Sequence, residues 1–239
     1  MRAICGGNFM VDRRLLQIAE NLESVQARMS NAAKNSGRSL NDITLIVVTK
    51  TYPQEDIQRL YNLGQRHFGE NRILEGAEKA SSNSTDAVWH FQGQIQSNKI
   101  KDLVSWAEVI HSLDDGRHAK KINERVHELD NAQIKKVLIQ VSLDGEGHRG
   151  GVAPGHINTM AEEIMGLSQL ELKGLMAVAP LDEDLERAYS RLAAIYQRFI
   201  RDFPQSNWLS AGMSNDYETA ITYGATHIRV GSSILGKRS

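Results

Sequence analysis

The sequence predicts an α/β protein built as a single (β/α)8 barrel, and three observations lead to that prediction. Segments typical of strands alternate with segments typical of helices throughout the 239 residues, which indicates a parallel sheet covered by helices. Eight such strands can be counted, and eight units in a chain of this length are typical of a closed barrel. Gly64, Gly166 and Gly224 stand where three helices should turn back into strands.

The first predicted strand covers residues 43–50, with the sequence ITLIVVTK. β-branched residues and leucine fill its centre without polar alternation, which is typical of a strand covered on both faces. Pro53 follows closely and disfavours a helix at the residue before it. Lys50 therefore lies at the carboxyl end of a buried strand, where such barrels place their functional groups. A solvated strand flank is the alternative interpretation of Lys50 from its position alone.

Seven further strands, separated by helices, complete the prediction. The strands cover residues 67–69, 89–93, 108–113, 136–143, 170–178, 208–211 and 227–230. The helices cover residues 55–63, a segment that opens at 70–72, and residues 98–106, 117–130, 154–165, 185–203 and 216–223. An extra N-terminal helix, residues 11–36, carries an apolar stripe at four-and-three spacing and should pack against the barrel.

Composition excludes several classes of protein. The net charge of −1 provides no basic surface for nucleic acid or for a membrane, and no apolar run reaches the length of a membrane span. Cys5 is the single cysteine, and the histidines form no ligand pair of the H-E-x-x-H type, so no disulfide and no metal site are predicted. The expected organisation is a loose extension at residues 1–10, with Met1 and Met10 as alternative starts, and one domain at residues 11–239. The expected location is cytoplasmic.

The segments after the last two strands are rich in small residues. Residues 210–216 have the sequence SAGMSND, and residues 231–233 have the sequence GSS. Loops at these positions of a barrel often bind phosphate through backbone N–H groups, hydroxyls and the N-terminus of a short helix. Asn215 and Glu218 also fit a capping box at the start of the next helix, and capping alone is the alternative interpretation of Ser214.

Arg229 lies between Ile228 and Val230 in the last predicted strand. A guanidinium inside a barrel is costly unless it is paired or binds a ligand. Arg229 therefore indicates a polar ligand, with an ion pair to a carboxylate such as Glu70 as the alternative. A lysine, two phosphate-binding loops and an arginine on one face together suggest pyridoxal 5′-phosphate (PLP), whose aldehyde forms a Schiff base with lysine.

Seven ordered motifs carry a resemblance to a known family. They are VTK at residues 48–50, FGEN at 68–71, WHFxG at 89–93, QSNK at 96–99, GLM at 174–176, GMSxD at 212–216 and IRVGSxIxG at 228–236. From about residue 42 to residue 236 the chain resembles the pyridoxal phosphate homeostasis protein family, whose fold is similar to the barrel domain of alanine racemase. The resemblance implies a TIM barrel like the alanine racemase N-terminal domain and a role in intracellular PLP (vitamin B6) homeostasis.

The resemblance also implies roles for individual residues. Lys50 would hold the cofactor as a Schiff base, and Ser214, Gly231 and Ser232 would hold its phosphate. Arg229 would face the pyridine nitrogen, as the matching arginine does in the racemase. These assignments agree with the positions of the same residues at the predicted strand ends.

Two further residues, Asn71 and His90, would line the surroundings of the cofactor ring. The sequence departs from the family at Arg72, where many relatives have tyrosine, and this departure concerns contacts at the rim of the site. The loop at residues 144–151 is unusually rich in glycine, which concerns how the open face of the barrel is covered.

The same loop contains GEGHRG at residues 145–150, which matches the dinucleotide fingerprint GxGxxG after a strand. In a true fingerprint the helix begins within the glycines, whereas Val152, Ala153 and Pro154 intervene here. The acidic residue expected about 20 positions later should end the next strand, yet Glu171 begins it. A dinucleotide-binding oxidoreductase is therefore a remote alternative.

The remaining choice is between a cofactor carrier and an enzyme. Racemases, decarboxylases and aldolases built on this barrel use a second β-domain that supplies an acid/base group, whereas this sequence ends at Ser239 after its eighth unit. Tyr52 is the one tyrosine at a predicted strand end, and an arginine beside the ring nitrogen weakens the ring as an electron sink. We therefore expect a monomeric holder of PLP without turnover, with apo PLP enzymes as recipients. A PLP-dependent amino-acid racemase is the alternative.

Overall fold

The computed structural model describes residues 12–82, 86–129, 133–145 and 150–236. The predicted N-terminal extension at residues 1–10 lies outside the described residues. So does the centre of the Gly-rich loop, residues 146–149.

Eight parallel strands in the described part of the chain form a closed barrel, which confirms the predicted fold class. The strands are β1 (Thr44–Val48), β2 (His67–Glu70), β3 (Val88–Phe91), β4 (Val109–Leu113), β5 (Lys135–Gln140), β6 (Leu170–Met176), β7 (Trp208–Ser210) and β8 (His227–Val230). Each strand pairs with its neighbours in sequence, and β8 pairs with β1 to close the barrel. All side chains that follow these strands therefore meet at one end of the barrel.

Helices cover the outside of the barrel. They are α1 (Arg13–Asn35), α2 (Gln54–Asn62), α3 (Ile73–Ser81), α4 (Ile100–Trp106), α5 (Gly116–His127), α6 (Ile157–Met165), α7 (Leu185–Asp202), α8 (Tyr217–Thr222) and α9 (Ser232–Leu235). The very short α9 directly follows β8, so its N-terminus lies at the functional end of the barrel.

The extra N-terminal helix α1 is present and packs its apolar stripe on the barrel. Asp12 caps it by accepting hydrogen bonds from the backbone N–H groups of Arg14 and Leu15, each at 3.0 Å. The Asn21 side chain donates to the carbonyl of Ile234 at 2.9 Å, which ties α1 to α9. The buried residues of its stripe are Ile18, Leu22, Val25, Met29, Ala32 and Ala33.

Several strands end earlier than predicted because the chain leaves the sheet to form loops over the open end. β1 ends at Val48 rather than at residue 50, and β6 ends at Met176 rather than at residue 178. The predicted strand 136–143 ends at Gln140, since Val141 forms an isolated bridge with Val152 instead of extending the strand. The early exits of β1 and β6 bring Lys50 and Val178 into the wall of a cavity.

Candidate functional site

A cavity of about 520 Å³ opens at the carboxyl ends of the strands. Six of the seven predicted site residues line it: Lys50, Asn71, Ser214, Arg229, Gly231 and Ser232. Apolar side chains complete the wall, among them Val48, Met176, Val178 and Met213. The structure thus brings together Arg229 of β8 and residues from the segments that follow β1, β2, β7 and β8, which lie far apart in sequence.

Lys50 lies two residues beyond the end of β1 and is half-buried. The next residue, Thr51, has φ of 68°, a left-handed conformation that is unusual for a β-branched residue. Such strained backbone persists only where surrounding contacts hold it, and it concentrates at functional sites. The turn that carries Lys50 is therefore fixed by its neighbours rather than by its own backbone preference.

Glu70 lies behind that turn, and in the described residues it makes no hydrogen bond or ion pair with Arg229. It is fully buried and accepts hydrogen bonds from Thr49 Oγ1 at 2.7 Å and from Lys79 Nζ at 2.8 Å. Burial raises the pKa of Glu70, although these two hydrogen bonds oppose the rise. The alternative of an Arg229–Glu70 ion pair is wrong, because Lys79 supplies the cation that Glu70 needs.

Arg229 projects from β8 into the barrel and is almost fully buried. Its Nη1 donates to Ser210 Oγ at 2.8 Å, and its Nη2 donates to the carbonyl of Ala177 at 3.0 Å. Burial lowers the pKa of Arg229, but a guanidinium remains protonated in proteins. The wall of the cavity therefore carries a fixed positive charge with no carboxylate among its hydrogen-bond partners in the described chain.

The loops after β7 and β8 are joined to each other. Gly231 N–H donates to Ser214 Oγ at 3.3 Å, and Ser233 Oγ donates to the carbonyl of Ser214 at 3.4 Å. A Cβ at Gly231 would lie 3.1 Å from the carbonyl oxygen of Val48, so glycine lets the β8 loop approach β1 closely. The first N–H groups of α9, beginning at Ser232, have no acceptor within their own helix and are suited to bind an anion.

The predicted capping box of Asn215 and Glu218 is wrong. Asp216 is the residue before α8, and it makes no side-chain cap. Its carboxylate instead accepts from Met213 N–H at 2.5 Å and from Tyr189 O–H at 2.8 Å, while Glu218 pairs with Arg28. Asp216 thereby closes the loop on itself, which leaves Ser214 at the cavity.

His90 lies inside the barrel, and the lining of the cavity does not include it. Its ring hydrogen-bonds to His67 at 3.0 Å and to His111 at 2.8 Å. His111 continues to Ser210 Oγ at 2.9 Å, and Ser210 accepts from Arg229. His90 thus reaches the cavity through three intervening side chains.

Burial holds the pKa of both His90 and His111 well below the ordinary value, with neighbouring positive groups adding to the effect. Both rings are therefore neutral near pH 7, which lets them share hydrogen bonds ring to ring. His111 was not predicted from the sequence, and Ser210 was predicted as part of a phosphate-binding loop rather than as a partner of Arg229. The alternation of Val109, His111 and Leu113 along β4 was the available signal, because Val109 belongs to the barrel interior.

The donor set of the cavity suits an anionic, ring-bearing ligand. Positive charge comes from Lys50 and Arg229, hydroxyls come from Ser214 and Ser232, and apolar side chains flank them. The side-chain Oδ1 of Asn71 is buried without a hydrogen-bond partner in the described part of the protein. A buried polar atom of this kind indicates a site for a further partner.

Other kinds of site receive no support in the described residues. They contain no group of three or more acidic, histidine or cysteine side chains that could hold a metal ion, and none of their helices is long and apolar enough to cross a membrane. After the Gly-rich loop, the α-helix starts at Ile157, well beyond the last glycine of the dinucleotide-like motif, although residues 146–149 themselves lie outside the described chain.

The chain matches the family model described as alanine racemase, N-terminal domain, over residues 15–239. Similar proteins named pyridoxal phosphate homeostasis protein occur in Mycobacterium bovis and Vibrio cholerae. The first is 36% identical over 240 residues, with 93% of each chain covered. The second is 35% identical, with 92% of this chain and 96% of the relative covered.

Solved structures show the same likeness. PipY of Synechococcus elongatus with PLP bound has a TM-score of 0.80 and 31% identity, covering 92% of this chain and 100% of that one. An alanine racemase from Clostridium difficile has a TM-score of 0.73 at 16% identity, a likeness of fold alone, and this chain covers 57% of it. The chain therefore belongs to the alanine racemase N-terminal domain family and, within it, to the pyridoxal phosphate homeostasis proteins.

Proposed function

We propose that this protein binds pyridoxal 5′-phosphate in the cavity at the open end of the barrel and serves PLP homeostasis, with Lys50 as the residue of covalent attachment. One observation carries the proposal: Lys50, Arg229 and the Ser214–Gly231–Ser232 loops line a single cavity. PipY, similar over nearly the whole chain, has PLP bound in its solved structure. When bound, the cofactor would supply an aldehyde that condenses with a lysine amine.

The loops after β7 and β8 would hold the phosphate. Ser214 and Ser232 offer hydroxyl groups, and the start of α9 offers backbone N–H groups that have no acceptor within their own helix. These groups suit a dianion because charge-assisted hydrogen bonds are the stronger kind. The close approach of Gly231 to Val48 brings this cradle beside the strand that leads to Lys50.

Arg229 would meet the pyridine nitrogen. Its two hydrogen bonds to Ser210 and Ala177 fix the guanidinium in the wall of the cavity. A cation there disfavours protonation of the ring nitrogen, which limits how well the ring can accept electrons from a bound substrate. This placement disfavours reactions that need a strong electron sink, whereas a racemase, which has the matching arginine, is distinguished from a carrier by its second acid/base group.

The titratable groups that line the cavity also favour a protein that holds PLP without catalysing a reaction. In the described lining, the titratable residues are Lys50, Asp216 and Arg229. Both carboxylate oxygens of Asp216 already accept hydrogen bonds, and the Tyr52 hydroxyl, the tyrosine candidate at a strand end, donates to the carbonyl of Gly236. Racemisation needs a second group within reach of the substrate carbon, and none of these supplies it.

An absorption titration of the purified protein with PLP tests the proposal. We expect a visible absorption band that borohydride abolishes and that Lys50→Ala does not develop. A protein that binds no PLP, or a band that persists unchanged in Lys50→Ala, would overturn it.

The absence of turnover needs its own test. We expect chiral chromatography to detect no racemisation of alanine, serine or threonine beyond that caused by PLP in buffer. Racemisation that depends on Lys50 would establish the racemase alternative instead. Transfer of cofactor to apo PLP enzymes, a monomeric state and a cytoplasmic location remain predictions.

A further inference from the structure

The turn that carries Lys50 rests on a buried lysine of α3. Lys79 is 7% exposed, and its Nζ donates to the carbonyl of Thr49 at 2.6 Å, to Glu75 Oε1 at 2.7 Å and to Glu70 Oε1 at 2.8 Å. Burying an ammonium is costly unless it is paired and hydrogen-bonded. The partners of Lys79 meet that requirement, and one of them is the backbone immediately before Lys50.

Glu75 contacts the backbone on the other side of Lys50. Its Oε1 accepts from Thr51 N–H at 2.5 Å as well as from Lys79. Burial alone would raise the pKa of Glu75, but the hydrogen bonds from Lys79 and Thr51 lower it overall, so the side chain stays ionised near pH 7. Nη1 of Arg72 lies 4.0 Å from Oε2 of Glu75 and adds a further positive charge beside it.

The two peptide groups that flank the Lys50 Cα atom therefore both hydrogen-bond to the same ion pair, Glu75 and Lys79. The carbonyl of Thr49 belongs to the peptide before Lys50, and the N–H of Thr51 belongs to the peptide after it. Glu75 and Lys79 lie four residues apart on α3, so one helix face presents both partners. Two fixed peptide groups determine the direction in which the side chain between them leaves the backbone.

We propose that Glu75 and Lys79, the α3 ion pair, are positioning residues that direct the Lys50 side chain toward the cavity for covalent attachment. This inference rests on the proposed function of Lys50. Attachment joins a primary amine to an aldehyde: a C=N bond replaces the C=O bond, and the oxygen leaves as water with two hydrogens from nitrogen. The reaction needs no oxidant or reductant. Its rate depends on how closely the lysine amine is positioned and aligned with the aldehyde carbon.

The test separates attachment from non-covalent binding. Pyridoxine 5′-phosphate carries an alcohol in place of the aldehyde, so it reports on the phosphate loops and Arg229 alone. For Glu75→Ala we expect the rate of Schiff-base formation with PLP to fall about tenfold to a hundredfold, because a misplacement near 1 Å costs that much. Calorimetry should show pyridoxine 5′-phosphate affinity within about twofold of the parent protein, since the phosphate loops are unchanged.

Two further variants serve as rescue and control. Glu75→Gln keeps an oxygen acceptor for Thr51 N–H and should recover most of the lost rate. Glu128 lies at the C-terminal end of α5 and forms an exposed ion pair with Arg125. Glu128→Ala removes the same charge as Glu75→Ala at a position away from the turn after β1, and it should react with PLP like the parent. Parent-like rates in Glu75→Ala would overturn the positioning role, and so would an equal loss of pyridoxine 5′-phosphate affinity, which would indicate general distortion.

Amide hydrogen exchange of the parent protein gives a measurement that does not depend on a variant folding. Thr51 is exposed, yet its N–H donates to Glu75, so we expect its exchange to be slowed at least about tenfold relative to an unstructured amide. Unprotected exchange would overturn the positioning role even if Lys50 binds PLP. A parent protein that forms no Schiff base at Lys50 would instead overturn the proposed function itself. The exchange of Thr51 and the Schiff base at Lys50 therefore test the two proposals separately.

Discussion

The two walls of the cavity are built in different ways. The phosphate wall, the loops after β7 and β8 with the start of α9, uses small residues, hydroxyls and backbone N–H groups. The lysine wall, the turn after β1 with α3 behind it, uses buried charges and a backbone conformation that Thr51 adopts only under constraint. Under the proposed function, non-covalent anchoring and covalent attachment would be carried by separate parts of the fold, and mutation should separate them.

The largest expected effect comes from placing negative charge in the phosphate wall. Changing Ser214→Glu and Ser232→Glu together should weaken pyridoxine 5′-phosphate binding roughly a thousandfold, because like charges in contact cost several kcal/mol. Lys50 remains intact in this variant. Calorimetric titration measures the loss.

The matched control is Ser214→Gln with Ser232→Gln, which adds similar volume without charge. It should bind more weakly than the parent but far better than the acidic pair. If the acidic pair binds as tightly as the parent, the phosphate does not lie at these loops, and the distinction between the walls fails.

A second large effect concerns the buried histidines behind Arg229. His90 and His111 are neutral in the folded protein because their pKa values are held well below 6.5, while the unfolded chain takes up protons near that pH. The unfolded state then binds more protons, so stability is lost as the pH falls below about 6.5. Between pH 7 and pH 5 each histidine should remove about 2 kcal/mol from the free energy of unfolding, or about 4 kcal/mol for the pair.

Urea unfolding across this pH range measures that loss. His111→Gln should remove one proton from the uptake on unfolding, so the loss of stability between pH 7 and pH 5 should shrink by about 2 kcal/mol. His227 adds to the same trend, because burial lowers its pKa to about 3. A free energy of unfolding that stays constant between pH 7 and pH 5 would show that the histidines are not buried as neutral rings.

Sequence reasoning recovers the phosphate wall better than the lysine wall. Gly231 and Ser232 follow β8 directly and Ser214 lies in the loop after β7, so counting strands is enough to locate them. Glu75 and Lys79 are four residues apart on a helix, and such a pair is usually a solvated surface feature. Their inward orientation depends on how α3 packs against β2 and β3 and reaches the turn after β1, which is a tertiary property and leaves no local pattern.

The interior polar chain illustrates the same limit. Arg229 could be recognised as a guanidinium inside a barrel, but its partner could not. Glu70 was the evident carboxylate, yet Lys79 neutralises it, and Arg229 turns to the hydroxyl of Ser210 and the carbonyl of Ala177 instead. Pairing among buried groups depends on the whole set that is present, so one sequence position at a time does not determine it.

A smaller effect is expected when the lysine itself is removed. Lys50→Ala should reduce the free energy of unfolding by less than about 1 kcal/mol, because the half-buried side chain belongs to the cavity and not to the packed core. Pyridoxine 5′-phosphate should still bind through the phosphate wall. Thermal unfolding measures the stability of this variant. If the variant does not fold, the Lys50 side chain is required for the stability of the barrel and not only for binding.

The smallest effect should come from relieving the strained backbone of the lysine wall. Thr51→Gly accepts the positive φ without steric cost, but glycine also gains entropy in the unfolded chain. We expect a net change within about 1 kcal/mol in favour of the folded state, measured by urea unfolding. A clear destabilisation would mean that the Thr51 side chain contributes contacts that outweigh the strain.

Peptide mass mapping after borohydride reduction of the PLP-loaded protein tests the central claim most directly. We predict that the pyridoxyl mass lies on the peptide that contains Lys50, at close to one group per chain, and that the buried Lys79 carries none. The same mapping on the acidic Ser214 and Ser232 variant should show much lower occupancy at Lys50. A pyridoxyl group on another lysine, or on no lysine, would contradict the account.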